Sequence, residues 1–304
     1  MNTISLKRVR KLTHLCLASR SWAAVFLLWT PSTLWAGNEP KPAKPEVPYG
    51  KNRAAGAFVT VNGIKLYYET YGSGLPMLQI HGNGQNIGAL SRQIEFFSRK
   101  YKVIAADSRG HGKSEMGEGP LTYEQMAEDL NAMLDKLELK PVLVLGWSDG
   151  GILGLLLAIH HPDKVSKLAI MGANLEPAGA QDWAVQWVAA QEKLVDEKLA
   201  TKDTSMPWAK SKQLLGLLGK QPHIPLGDLH RISAPTLVMA GDKDVIRGEH
   251  TLTIFENLPK AHLCIFPGAT HMIPWEDPTR FNQTVERFFQ AAYVRPDTKD
   301  LFAH

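Results

Sequence analysis

Residues Val142 to Ile152 read Val-Leu-Val-Leu-Gly-Trp-Ser-Asp-Gly-Gly-Ile. A short apolar run suited to a buried strand meets a Gly-x-Ser-x-Gly turn, and an apolar helical stretch, Gly151 to His160, follows at once. A strand that reverses so tightly into a helix needs glycine on either side of the serine, because side chains there would strike the neighbouring strand or helix. The turn forces Ser148 into a strained conformation and lifts its hydroxyl from the backbone. The helix behind it directs free N–H groups and its positive dipole end at the same point. A glycine-rich strand–helix turn without chemistry is the alternative. The adjoining strand and helix favour a nucleophile at Ser148.

The rest of the chain repeats this alternation. Phe58–Val61, Asn62-Gly63 and Ile64–Thr70 predict a β-hairpin. Further strands are expected at Met77–Ile80, Val103–Ala106, Val142–Leu145, Lys167–Met171, Thr236–Ala240 and Leu263–Phe266. Helical patterns separate them, around Leu90–Arg99, Thr122–Leu137, Gly151–His160 and Pro278–Ala291. Strands alternating with helices predict an α/β fold: a mostly parallel sheet covered on both faces, with its ligand site beyond the carboxyl ends of the strands. The predicted core comprises residues 55–174 and 230–295. Between them, residues 175–229 carry Trp183, Trp187, Trp208 and two amphipathic stretches, and are expected to form a small helical cap over that edge.

The first 54 residues stand apart. Residues 1–36 carry Lys7, Arg8, Arg10, Lys11 and Arg20 and no acid, followed by the apolar run Trp22–Trp29 and then Leu34-Trp35-Ala36-Gly37. This is the pattern of a secretory signal peptide cleaved after Ala36, although Leu34 is larger than the residue usual there. An uncleaved anchor is the alternative, but the apolar run is short for a bilayer. Cys16 precedes the apolar run, which argues against lipoprotein processing. Removing the five leader cations from the chain's net +4 leaves −1, so the basicity implies no nucleic-acid surface. A periplasmic or secreted location is expected, with no stable membrane insertion once the leader is gone. Residues 37–54 form a linker, rich in proline up to Gly50. Beyond the leader one cysteine remains, Cys264, expected to be a small buried hydrophobe. No Cys/His spacing suggests a metal.

A serine nucleophile needs a base, an acid behind the base, and donors for the developing oxyanion. His81-Gly82-Asn83-Gly84 follows the strand ending at Ile80, where the second oxyanion donor belongs. The expected donors are the backbone N–H groups of Asn83 and Asp149, with His81 orienting the loop. Among eleven histidines, His160 and His161 end a helix and His262 begins a strand. His271 sits past the strand Leu263–Phe266, across Pro267–Thr270, at a carboxyl end, and is the expected base. Asp242 and Asp244 both leave the strand Thr236–Ala240. Asp244 is preferred because a Gly-x-x-Asp turn carries its side chain over the sheet edge, with Asp242 as runner-up.

Five elements in this order resemble the α/β-hydrolase fold over nearly all of residues 55–290. They are Gly74-Leu75-Pro76 with His81-Gly82, Asp107 to Ser114, Gly146 to Gly151, Gly241 to Asp244, and Gly268 to His271. Gly146–Gly151 together with Met171–Asn174 resembles the valacyclovir-hydrolase (biphenyl-hydrolase-like) esterases. The resemblance implies a serine hydrolase that needs no metal or organic cofactor. It acts on a small or medium ester, lactone, thioester or activated amide through an acyl-enzyme. Serine at the nucleophile position argues against the alkyl-enzyme route of haloalkane dehalogenases and epoxide hydrolases, which place aspartate there. Carbon–carbon bond hydrolases and cofactor-free perhydrolases use the same triad and stay open, as does a non-catalytic ligand-binding relative. The Asp149 carboxylate, one residue from the nucleophile, either supports the following helix or recognises a substrate ammonium, which would favour α-amino-acid esters. A small-molecule substrate is the expected partner, and the sequence does not specify an oligomeric state.

Overall fold

The computed structural model describes residues 47–139 and 141–302. The expected signal peptide (1–36) and most of the linker lie outside the described residues.

Eight strands form one sheet: β1 (Gly56–Val61), β2 (Ile64–Tyr71), β3 (Pro76–Ile80), β4 (Lys102–Ala106), β5 (Val142–Trp147), β6 (Val165–Met171), β7 (Thr236–Lys243) and β8 (Ala261–Thr270). Their order is β1-β2-β4-β3-β5-β6-β7-β8. The β1–β2 and β2–β4 pairs are antiparallel and every pair from β4 to β8 is parallel. The hairpin turn lies at Asn62-Gly63, where both residues take positive φ, +42° and +78°, as a tight hairpin requires.

The helices are α1 (Ser91–Phe97), α2 (Tyr123–Lys136), α3 (Asp149–His160), α4 (Asp182–Ala200), α5 (Trp208–Lys220), α6 (Leu226–Leu229), α7 (Gly248–Glu256), α8 (Ile273–Glu276) and α9 (Pro278–Gln290). Helix α7 had no counterpart in the periodicity. Its apolar stripe is narrow, with Thr251 and Ile254 buried and Leu252 exposed.

The central strands are apolar on both faces because both are covered. Leu78, Ile80 and Val144 pack toward α2 and α3 with Leu130, Leu153 and Leu157. Met77, Leu143, Leu145 and Trp147 pack on the other side with Ile94 of α1 and Phe281 and Val285 of α9. Helix α3 is buried from Asp149 to Ile159, which explains its unbroken apolar run. Full burial of one large aliphatic side chain contributes about 1.5–3 kcal/mol, so α3 is fixed mainly by packing. The backbone at its start is held accordingly.

Helices α4 and α5 occupy the segment between β6 and β7. Helix α5 joins loops that follow β3 and β4: Asn83 Nδ2 donates to the Leu214 carbonyl at 3.0 Å, and the Leu121 N–H donates to Gln213 Oε1 at 3.0 Å. The start of α4 meets the loop after β7, where Arg247 Nη2 donates to Asp182 Oδ1 at 2.5 Å. Among the three tryptophans of this segment, Trp208 is buried while Trp183 and Trp187 are exposed. Among the described residues, no helix is long and apolar enough to cross a membrane.

Two local expectations differ from the structure. Pro267 to Thr270 belong to β8 instead of a separate loop, because a register shift at Gly241/Lys243 lets Lys243 pair with Thr270. Cys264 is half-buried on this edge strand, and partial burial raises its thiol pKa.

Candidate active site

Ser148 stands between β5 and α3 with φ +58° and ψ −120°, a left-handed conformation that costs a non-glycine residue on the order of 1–3 kcal/mol. Packing maintains it. The Ser148 N–H donates to the Met171 carbonyl of β6 at 2.7 Å, and the Gly151 N–H donates to the Ser148 carbonyl at 2.7 Å. The two flanking glycines permit the close approach. A Cβ on Gly146 would stand 2.1 Å from the Gly150 carbonyl oxygen, and one on Gly150 would stand 2.1 Å from that of Ile80 in β3.

His271 follows β8 directly. Its Nδ1 lies 2.7 Å from Asp244 Oδ1. Asp244 is buried and also accepts from the Gly241 and Ile246 N–H groups, each at 3.1 Å. Burial would raise its pKa, but the His271 ring and those N–H groups outweigh burial, and the net shift is downward. Asp242 is exposed on the last turn of β7, and its Oδ2 accepts the Gly268 N–H at 2.9 Å. The structure therefore brings His271 together with Asp244 and leaves Asp242 to brace the β7–β8 edge. Two further contacts hold the imidazole, and the sequence did not point to either. Trp147 Nε1 donates to the His271 carbonyl at 2.9 Å. Gly172, at φ +64°, lies so close under the ring that a Cβ would stand 2.5 Å from Nδ1. The glycine after β6 in Met171-Gly172-Ala173-Asn174 was the only available signal.

The loop after β3 faces the Ser148 turn. A Cβ on Gly82 would approach Ser148 Cβ to 3.0 Å. His81 is buried and neutral: Nδ1 lies 2.8 Å from the Gly82 carbonyl, and Nε2 accepts the Ser108 N–H at 3.1 Å. Burial, reinforced by nearby His111, drives its pKa down to about 3. With both nitrogens committed to backbone, His81 braces the loop. Gln85 Oε1 accepts the Gly82 N–H at 3.0 Å and completes the brace. Asn83 follows. Asp149 opens α3, where an N–H has no carbonyl four residues back within its own helix.

The Asp149 carboxylate is buried, and its Oδ2 accepts from Asn83 Nδ2 at 2.9 Å. Tyr123 faces it from α2 without closing a hydrogen bond of ordinary geometry, and His271 lies near enough to attract it. Burial pushes its pKa up to about 6 against these stabilising neighbours. Neither sequence alternative anticipated that the carboxylate would be tied to the loop after β3.

Around Asp107–Ser114, Asp107 accepts the Ile87 and Lys113 N–H groups, each at 2.8 Å, while Arg109 forms a buried two-point pair with Asp129 at 2.6 and 2.7 Å. The segment is held by internal contacts. His160 is exposed, His161 lies 2.8 Å from Glu128, and His262 Nε2 lies 2.7 Å from the Val294 carbonyl, all away from Ser148 in the fold. Among the described residues, no group of three His, Cys, Asp or Glu is arranged to hold a metal ion.

A family model described as alpha/beta hydrolase fold matches residues 76–206. The chain is 28% identical to 3-oxoadipate enol-lactonase 2 of Acinetobacter baylyi, over 75% of this chain and 94% of that protein. It is 27% identical to the human serine hydrolase BPHL, over 82% and 90% respectively. Among solved structures, Est816, described as an N-acyl homoserine lactone degrading enzyme, aligns with a TM-score of 0.64 at 25% identity, covering 76% of this chain and all of that one.

Proposed function

We propose that this chain, an α/β-hydrolase-fold protein, is a serine hydrolase that cleaves a small or medium carboxylic ester or lactone through an acyl-enzyme. The observation that carries the reading is the 2.7 Å contact between His271 Nδ1 and Asp244 Oδ1, which leaves Nε2 as the ring atom for exchanging a proton with Ser148. In the proposed reaction Ser148 Oγ attacks the acyl carbon while His271 takes the hydroxyl proton. The oxyanion is met by the N–H groups of Asn83 and Asp149. Collapse expels the alcohol, which receives its proton from His271. Water activated by the same imidazole then releases the acid and restores Ser148.

The similarity to an enol-lactonase, and the likeness to a lactone-degrading enzyme, favour including cyclic esters in the substrate class. Asp149 gives the narrower form of the proposal. Its buried carboxylate gains a counter-charge if an ester carries an α-ammonium, since only one of its oxygens is held by Asn83. The test is a panel of simple esters, lactones and aminoacyl esters with their des-amino analogues, run on the purified protein with Ser148→Ala as control. The reading expects turnover that Ser148→Ala abolishes, and fluorophosphonate labelling at Ser148. Wild-type protein that is neither labelled nor active on the panel overturns it in favour of a binding-only role. Equal rates for aminoacyl and des-amino esters remove the Asp149 element alone.

A leader that is cleaved after Ala36 during export is part of the same proposal, motivated by the basic stretch, the short apolar run and the proline-rich linker.

A further inference from the structure

Asn83 does more than present a backbone N–H. Its side-chain amide spends one donor on the Asp149 carboxylate at 2.9 Å and one on the Leu214 carbonyl of α5 at 3.0 Å. An amide NH₂ has two hydrogens, so both are used. The two acceptors belong to separate parts of the protein: the residue after the nucleophile and a helix of the cap. The remainder of the loop is braced from behind through the His81 ring and Gln85. Residues 83–84 form its tip, with Gly84 at φ +67°. Gly84 is exposed, the Gln85 N–H closes the turn on the Gly82 carbonyl at 3.3 Å, and the Asn83 side chain ties the tip down on both sides.

We propose that the Asn83 side chain is a positioning group that locks the oxyanion loop to the nucleophile turn and to cap helix α5 together, so that the seating of the cap sets the alignment of the acyl-transfer site. The inference rests on the serine-hydrolase reading above. Its physical basis is the sensitivity of such sites to geometry: a misplacement of about 1 Å costs on the order of 10²-fold in rate, and a lost oxyanion donor costs about 10²–10³-fold. A cap that shifts on α5 would pull the Leu214 carbonyl from Nδ2 and release the loop tip. A seated cap would hold it.

The same amide also bears on Asp149. The groups that face this carboxylate are Asn83 from the loop after β3, Tyr123 from α2 and His271 from the segment after β8. Asn83 favours the ionised form, so its loss raises the pH at which Asp149 takes up a proton. That shift reports the Asn83–Asp149 contact itself, whereas the labelling rate reports whether the contact positions the site.

The experiment compares full-length wild type with Asn83→Ala, Asn83→Ser and Gln213→Ala. Gln213 also ties α5 to the core, through the Leu121 N–H, but does not touch Asp149 or the loop after β3. Two quantities are read: the rate of fluorophosphonate labelling of Ser148 as a function of pH, and hydrogen–deuterium exchange in residues 81–86 and 208–220. Asn83→Ala is expected to slow labelling at least tenfold, to move the acid limb of its pH profile upward, and to speed exchange in both segments together. Asn83→Ser, which keeps a shorter donor, is expected to fall between, and it carries the test if the alanine variant does not fold. Gln213→Ala, which leaves both Asn83 contacts in place, is expected to speed exchange in α5 and to slow labelling too, by less than Asn83→Ala does. Labelling of Asn83→Ala at the wild-type rate, or faster exchange in only one segment, overturns the inference. Wild-type protein that resists labelling while Asn83→Ala still loosens both segments overturns the hydrolase reading instead, and leaves Asn83 a joint in the fold with no catalytic consequence.

Discussion

His271 Nδ1 sits 2.7 Å from Asp244 Oδ1, whereas Asp242, two residues earlier, directs its carboxylate to the Gly268 N–H. The sequence offers both aspartates at the end of one strand, and the structure gives them different work. Asp244→Ala is therefore expected to lower kcat on an activated ester by about 10³- to 10⁴-fold, because the imidazole loses the group that fixes its tautomer. Asp242→Ala should stay within a few-fold of wild type. Steady-state kinetics on both variants decide between them, and a larger loss from Asp242→Ala would reverse the acid assignment.

Gly172→Ala tests how the His271 ring is held. The added methyl would meet the His271 ring at 2.5 Å on a backbone with φ +64°. A loss of at least 1 kcal/mol of stability is expected from the left-handed backbone alone. Displacement of the ring should lower kcat by about 10²-fold. A thermal melt and a kcat measurement separate the two effects. A variant that is destabilised but has wild-type kcat would show that the ring has room to accommodate the methyl.

Asp149→Asn is expected to make the protein more stable at neutral pH. Burial raises the folded-state pKa of Asp149 from 3.8 to about 6, so the folded state holds its proton over a range where the unfolded chain has released it. Wild type therefore loses stability as pH rises from about 4 to about 6, and the full cost applies above that window. The neutral variant escapes this cost, on the order of 1–3 kcal/mol at pH 8. The difference should vanish below pH 4. Urea unfolding of both proteins at pH 4 and pH 8 measures it, and equal stabilities at pH 8 would mean that the ionised carboxylate is fully compensated in the fold.

N-terminal sequencing of the protein from fractionated cells checks the leader. The expected first residue is near Gly37, in the soluble exported fraction, with Met1 to Ala36 removed. Intact Met1 in the membrane fraction would indicate a retained anchor.

The sequence by itself determined what local periodicity and turn chemistry can carry. Gly146-Trp147-Ser148-Asp149-Gly150 demanded a strand, a strained turn and a helix. The alternation around it demanded a parallel sheet with its working edge at the carboxyl ends. The order Ser148, then Asp242 or Asp244, then His271 placed the candidate groups on that edge, since each lies within five residues of the carboxyl end of an expected strand. These readings need only neighbouring residues, which is why they were legible.

Only the tertiary structure decided what depends on segments meeting in space. It separated Asp244 from Asp242, because the shift in β7–β8 pairing at Gly241/Lys243 sends successive carboxylates to different partners. It set Gly172 beneath the His271 ring and the Trp147 indole against the His271 carbonyl. It joined Asn83 to Asp149 and to Leu214, residues 66 and 131 positions away. Side-chain hydrogen bonds of this range have no periodic signature, because their partners are fixed by the packing of whole layers and not by the chain on either side.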